Sequence, residues 1–145
     1  MPVNPTTLAN RLASNFAHPG PSFAACAQQW ADAMVDYVAA MVPPSTTASA
    51  AGASLQGALA EAFAAPGGAV PGMEQGFSAF ALTLAGGMAP AFTGTPPASQ
   101  VGFATLFGGL IPTHAAAGAR VAGLIHAWFV TGTATPPAGA PIFWK

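Results

Sequence analysis

The chain has 145 residues, enough for one domain with a real core, but only three basic and four acidic residues and a single cysteine. Charged residues make up 5% of it, where a soluble domain usually has about 25%. A net charge of −1 with no basic cluster argues against a nucleic-acid partner, and one cysteine allows no internal disulfide.

Asn4-Pro5 predicts a helix cap followed by proline at the first helical position, and Leu8, Leu12 and Phe16 then mark one face. His18-Pro19-Gly20-Pro21 ends that helix and Ser22 caps the next. There Phe23, Cys26, Trp30, Met34, Tyr37 and Met41 recur at spacings of three and four, up to Pro43-Pro44. Cys26 reads as a small core residue. The run "PSTTASAAGAS" reads as a loop. Leu55, Leu59 and Phe63 mark a third helix, closed by Pro66-Gly67-Gly68. Pro71 opens a fourth, with Met73, Phe77, Phe80 and Leu84 on its apolar face and Glu74 in its first turn, where it suits the helix dipole. Ser99 caps an expected fifth helix bearing Val101, Phe103, Leu106, Phe107 and Leu110. Pro112 opens a sixth, with Val121, Leu124, Ile125, Trp128 and Phe129 inward and Gly132 as the residue after its end. "AFTGTPPAS" (residues 91–99) and "FVTGTATPPAGA" (129–140) echo each other: each follows an apolar helix and turns through Thr-Gly-Thr into two prolines.

The expected fold is all-α: a compact bundle of five to six short helices joined by Pro/Gly-rich loops. Residues 1–130 form the helical domain, and 131–145 an extended, Pro-rich, aromatic-tipped arm. The expected core sets Trp30, Tyr37, Phe63, Phe77, Phe80, Phe103, Phe107 and Trp128 against alanines.

Little chemistry is expected. Asp32 and Asp36 lie four apart on one helix face, as acid/base pairs or metal ligands sometimes do, but on its polar side. His114 and His126 bracket the sixth helix about 18 Å apart and cannot share a metal. His18 precedes a proline in a turn. No phosphate loop or nucleophile elbow is present, and no closed zinc set. No enzymatic activity, cofactor, metal or small-molecule substrate is expected. Nor is a secretory signal, because Asn4, Asn10, Arg11 and Asn15 interrupt the opening residues.

A neutral surface costs little to desolvate, which suits packing into a larger assembly. The alternative is a membrane-active or membrane-resident helical protein. The longest apolar stretches, residues 76–92, 101–111 and 121–130, are interrupted by glycine or proline or are too short to span a bilayer. The assembly reading gives the arm a role. Pro136, Pro137 and Pro141 restrict φ and favour extension, while Ile142, Phe143 and Trp144 would be costly to leave in water. They bury either on the chain's own helices or in a groove on a neighbour.

The stretch "PTHAAAGARVAGLIHAWFVTGTATPPAGAPIFW" (residues 112–144), with "NPTTLANRLASNF" (4–16), resembles small virion structural proteins of tailed bacteriophages. These are Ala/Gly-rich chains with a helix ending in His-x-Trp and a Thr-Gly-Thr closing segment. The resemblance implies a structural part in the virion, in a tail or baseplate before a capsid, assembled in the host cytoplasm. The partners would be other virion proteins or copies of the chain itself.

Overall fold

The computed structural model describes residues 2–107 and 109–145, and of Phe107 only the backbone, so the Phe107 side chain expected in the core lies outside the described residues. The helices are α1 (Pro5–Ala17), α2 (Phe23–Val38), α3 (Ala48–Ala64), α4 (Val70–Gly86) and α5 (His114–Phe129). Three short strands, β1 (Thr93–Thr95), β2 (Thr133–Thr135) and β3 (Ile142–Phe143), form one antiparallel sheet in that order. The protein is mostly helical, and the small sheet corrects the all-α expectation.

Local chemistry sets several helix starts. Asn4 Oδ1 accepts from the Thr6 N–H at 2.9 Å, with Pro5 behind it. Ser22 Oγ accepts from Ala25 N–H at 3.1 Å and opens α2. Thr113 Oγ1 accepts from Ala116 N–H at 3.0 Å, so α5 begins after Pro112, not on it. α3 starts at Ala48, inside the stretch expected as loop. The hydroxyls just before it serve another helix. Ser45 Oγ donates to Leu84 O at 2.8 Å and Thr46 Oγ1 to Gly87 O at 3.1 Å. Thr47 Oγ1 donates to Thr83 O at 2.6 Å. Together they add hydrogen bonds to carbonyls of the last turn of α4 and of the Gly87 that caps it.

Close packing explains much of the alanine and glycine. α1 lies along α5, α2 against α3, and α3 against α4. At the α1–α5 seam a Cβ on Gly118 would overlap Ala9 O and sit 2.8 Å from Ala13 N, so two backbones meet there with no side chain between them. Across α3–α4 Gly76 faces a small side chain instead, and an added Cβ would lie 3.0 Å from Ala58 Cβ. Small residues shorten the distance between helix axes. Gly118→Val is expected to lower the unfolding free energy by about 1–3 kcal/mol through overpacking, read as a shifted urea midpoint.

The core is largely aromatic. Trp30 stands at its centre, 5.8 to 6.4 Å from the rings of Phe16, Phe63, Phe77 and Phe103. Phe77, Phe80, Phe103, Tyr37 and Trp128 are buried, whereas Trp30 and Phe63 are only partly so. Toward the sheet the aromatic cluster continues, edge-to-face or tilted, through Tyr37, Phe129 and Trp144.

The sheet is built from the two echoing segments. Thr93-Gly94-Thr95 pairs with Thr133-Ala134-Thr135 in antiparallel register, Thr93 opposite Thr135. Each strand follows a helix and each runs into a double proline, which cannot continue a ladder. The fifth expected helix is reduced to a 3-10 turn, Phe103–Phe107. Ser99 caps nothing there: its carbonyl accepts the Trp128 indole N–H at 2.8 Å.

Candidate functional site

Two regions stand out: the sheet end of the bundle, and a cleft at the opposite end.

At the sheet end, residues 131–145 fold back as a hairpin instead of extending. Antiparallel pairing of β3 with β2, Thr133 opposite Phe143, requires the chain to reverse over residues 136–141. Pro136, Pro137 and Pro141 stiffen that reversal, and Gly139 supplies the φ of 147° that other residues avoid. Trp144 is fully buried in the chain's own fold. Its ring lies 5.2 Å from Phe129, its Nε1 donates to Thr133 O at 2.9 Å, and its backbone N–H donates to Gly132 O at 2.9 Å. Gly132 does not take the left-handed conformation expected of a residue after a helix. It needs to be glycine because a Cβ would lie 2.6 Å from Trp144 Cε3.

The other two aromatic-arm residues stay outside: Ile142 is 38% exposed and Phe143 is 65% exposed. Val42, also 38% exposed, belongs to the same surface, because Val42 and Lys145 exchange backbone hydrogen bonds. Across the residues that build this end, 41–47, 83–95 and 131–145, Lys145 has the single charged side chain.

The candidate catalytic residues do not come together. Asp36 pairs with Arg11 at 3.4 Å on the exposed surface, and Asp32 is also exposed. Among the described residues no group of His, Cys, Asp and Glu could hold a metal. His18 and His114 are exposed. Cys26 is half-buried, with Sγ 3.4 Å from Gly20 O. His126 is half-buried, and its Nδ1 lies 2.7 Å from the Tyr37 hydroxyl.

Burial raises the Tyr37 pKa well above its ordinary value of 10.0. The unfolded chain therefore ionises first as pH rises, so stability is full below pH 10 and falls above it. Tyr37 is the single tyrosine, so tyrosinate absorbance reads it alone. Native protein is expected to show none just above pH 10, with the signal appearing on unfolding.

The cleft lies where α3 ends and α4 and α5 begin. Phe16, Trp30, Phe63 and Met73 form its floor and walls, Phe103 and Leu106 its roof, and Ala117 and Val121 its far side. Gly109 and Ile111 also line it among the described residues, and the cleft, open to solvent, has a volume of about 500 Å³. Trp30 lines it, whereas His126 and Trp128 do not.

The roof hangs from Glu74. This residue is 5% exposed, and its carboxylate accepts three backbone N–H groups: Val101 at 2.8 Å, Gly102 at 2.9 Å and Phe103 at 2.7 Å. Glu74 lies beyond the first turn of α4, so the helix-dipole role expected for it is replaced by this loop clamp.

No family model matches the chain, and no curated protein or solved structure matches it significantly. Among the described residues no helix is long and apolar enough to cross a membrane. The described residues of the segments 76–92, 101–111 and 121–130 belong to α4, the 3-10 turn and α5 and to the loops beside them.

Sequence reasoning missed Glu74 and the cleft. For Glu74 a signal existed: one acid amid apolar residues, with a glycine-bearing segment available to supply N–H groups. For the cleft there was none beyond the aromatic content already assigned to the core.

Proposed function

We propose that the chain is a structural subunit of a phage-type particle, of a tail or baseplate before a capsid, acting through protein–protein packing. The observation that carries this reading is the sheet end, where Val42, Ile142 and Phe143 are exposed beside a single charged side chain. Fully burying a side chain such as phenylalanine contributes about 1.5–3 kcal/mol, and few ions need to be stripped of water there. Ile142 and Phe143 keep the interaction role expected of the arm, while Trp144 anchors them from inside. The resemblance of residues 4–16 and 112–144 to tailed-phage virion proteins supports the kind of particle. The low charge overall weighs less, because alanine and glycine also serve the helix seams.

The test is the protein content of particles purified from cells that carry the gene. The chain is expected in a fixed ratio to the major structural proteins. An Ile142→Ser/Phe143→Ser double variant is expected to fold with unchanged circular dichroism yet be missing from particles. Particles that lack the wild-type chain while the surrounding lysate contains it would end the proposal.

A further inference from the structure

The cleft bears on a different question, because its lining is unlike that of an ordinary gap between helices. None of its ten lining residues among the described ones carries a charged group, and the one N–H donor among those side chains is the Trp30 indole. The other two tryptophans donate to carbonyls, whereas Trp30 Nε1 meets no protein acceptor among the described residues. The volume of about 500 Å³ lies within the range of about 300–1,000 Å³ usual for small-molecule sites. Phe16, Trp30 and Phe63 remain partly exposed through it. Whatever part of a ligand enters must be largely apolar, since apart from one acceptor facing the Trp30 indole N–H a polar group inside would lose its water without gaining a side-chain partner.

The rim differs from the lining. Arg120 lies one residue before Val121 and three after Ala117, both of which line the cleft. Its guanidinium crosses to Thr105 O at 3.0 Å, beside Leu106 of the roof. That bond uses one of five N–H donors. The one salt bridge among the described residues is Arg11–Asp36, so Arg120 has no carboxylate partner there. A cation with spare donors thus stands at the edge of an apolar cleft.

We propose that this cleft binds a single-chain amphiphile with an anionic head, such as a fatty carboxylate. The hydrocarbon chain lies against Trp30, Phe63 and Phe103, and the carboxylate meets Arg120 at the rim. This replaces the expectation that no small molecule is bound, and it does not depend on the particle role.

The test is calorimetric titration of the full chain with decanoate below its micelle concentration, beside decanol and decyltrimethylammonium. Decanoate is expected to bind saturably at one per chain and more tightly than decyltrimethylammonium. Arg120→Gln should weaken decanoate about fivefold, the scale of an exposed ion pair, and leave decanol unchanged. Ala117→Phe should fill the cleft and abolish binding of both. If that variant fails to fold, Ala117→Leu serves the same purpose with a smaller intrusion. Absence of decanoate binding would overturn the site, as would a folded filled variant that binds like wild type. Equal or tighter binding of the cationic amphiphile would overturn the anionic head.

Discussion

Replacing Trp144 with alanine is expected to lower the unfolding free energy by about 3–5 kcal/mol, a large fraction of the 5–15 kcal/mol typical of a domain. The indole is fully buried, packs against Phe129 at a tilt and donates to Thr133 O. Its removal leaves a cavity beneath the sheet and an unpaired carbonyl. Urea denaturation should show a lower midpoint with a similar slope. Hydrogen exchange should rise at the β2–β3 pairing, because the tryptophan is what holds the hairpin onto α5. A chain whose Trp144 docked only on a neighbour would show no such loss as a dilute monomer. The contrast also constrains the assembly experiment. Removing residues 139–145 would delete Trp144 along with Ile142 and Phe143, and so confuse folding with packing. The double serine variant separates the two.

Glu74→Ala should be nearly as damaging, at about 3 kcal/mol or more. It orphans three N–H groups, those of Val101, Gly102 and Phe103, and each unsatisfied buried group costs about 1–3 kcal/mol. Glu74→Gln should lose less, since the amide oxygen still accepts while its NH2 opposes the remaining donor. Thermal denaturation of the three proteins should therefore rank wild type, Gln, Ala. Equal melting of wild type and the alanine variant would mean that the clamp contributes nothing. The damage should reach the cleft too, because Phe103 is both clamped and part of its roof.

What was legible in the sequence was local. Asn4 and Ser22 mark helix starts because a cap acts within a few residues, and Leu8, Leu12, Met34 and Tyr37 mark buried faces because the helical repeat is local as well. What was missed depends on partners far along the chain. The hydroxyls of Ser45, Thr46 and Thr47 look like loop chemistry, yet they cap α4 from the other side of α3. Val101 to Leu110 has helical spacing, but Glu74 takes three N–H groups at its start and Gly102 sits at φ 91°, so only a 3-10 turn survives. Strands as short as Thr93–Thr95 show no usable alternation, and the echo between residues 91–99 and 129–140 was the single visible trace of their pairing, offset because β2 begins on the last residue of the second Thr-Gly-Thr. Prolines in residues 136–141 announced stiffness but not direction. The direction came from Gly139, and from the room that Gly132 leaves for an indole. The cleft was legible only as residues: its shape follows from how five helices leave one aromatic cluster partly uncovered.

Sedimentation equilibrium over a wide concentration range tests most directly whether the sheet end is a packing surface. The wild-type chain is expected to self-associate as concentration rises, and the Ile142→Ser/Phe143→Ser variant to remain monomeric while still melting cooperatively, at a modestly lower temperature because Ile142 is partly buried. A wild-type chain that stays monomeric throughout, or a variant that associates equally well, would contradict the account.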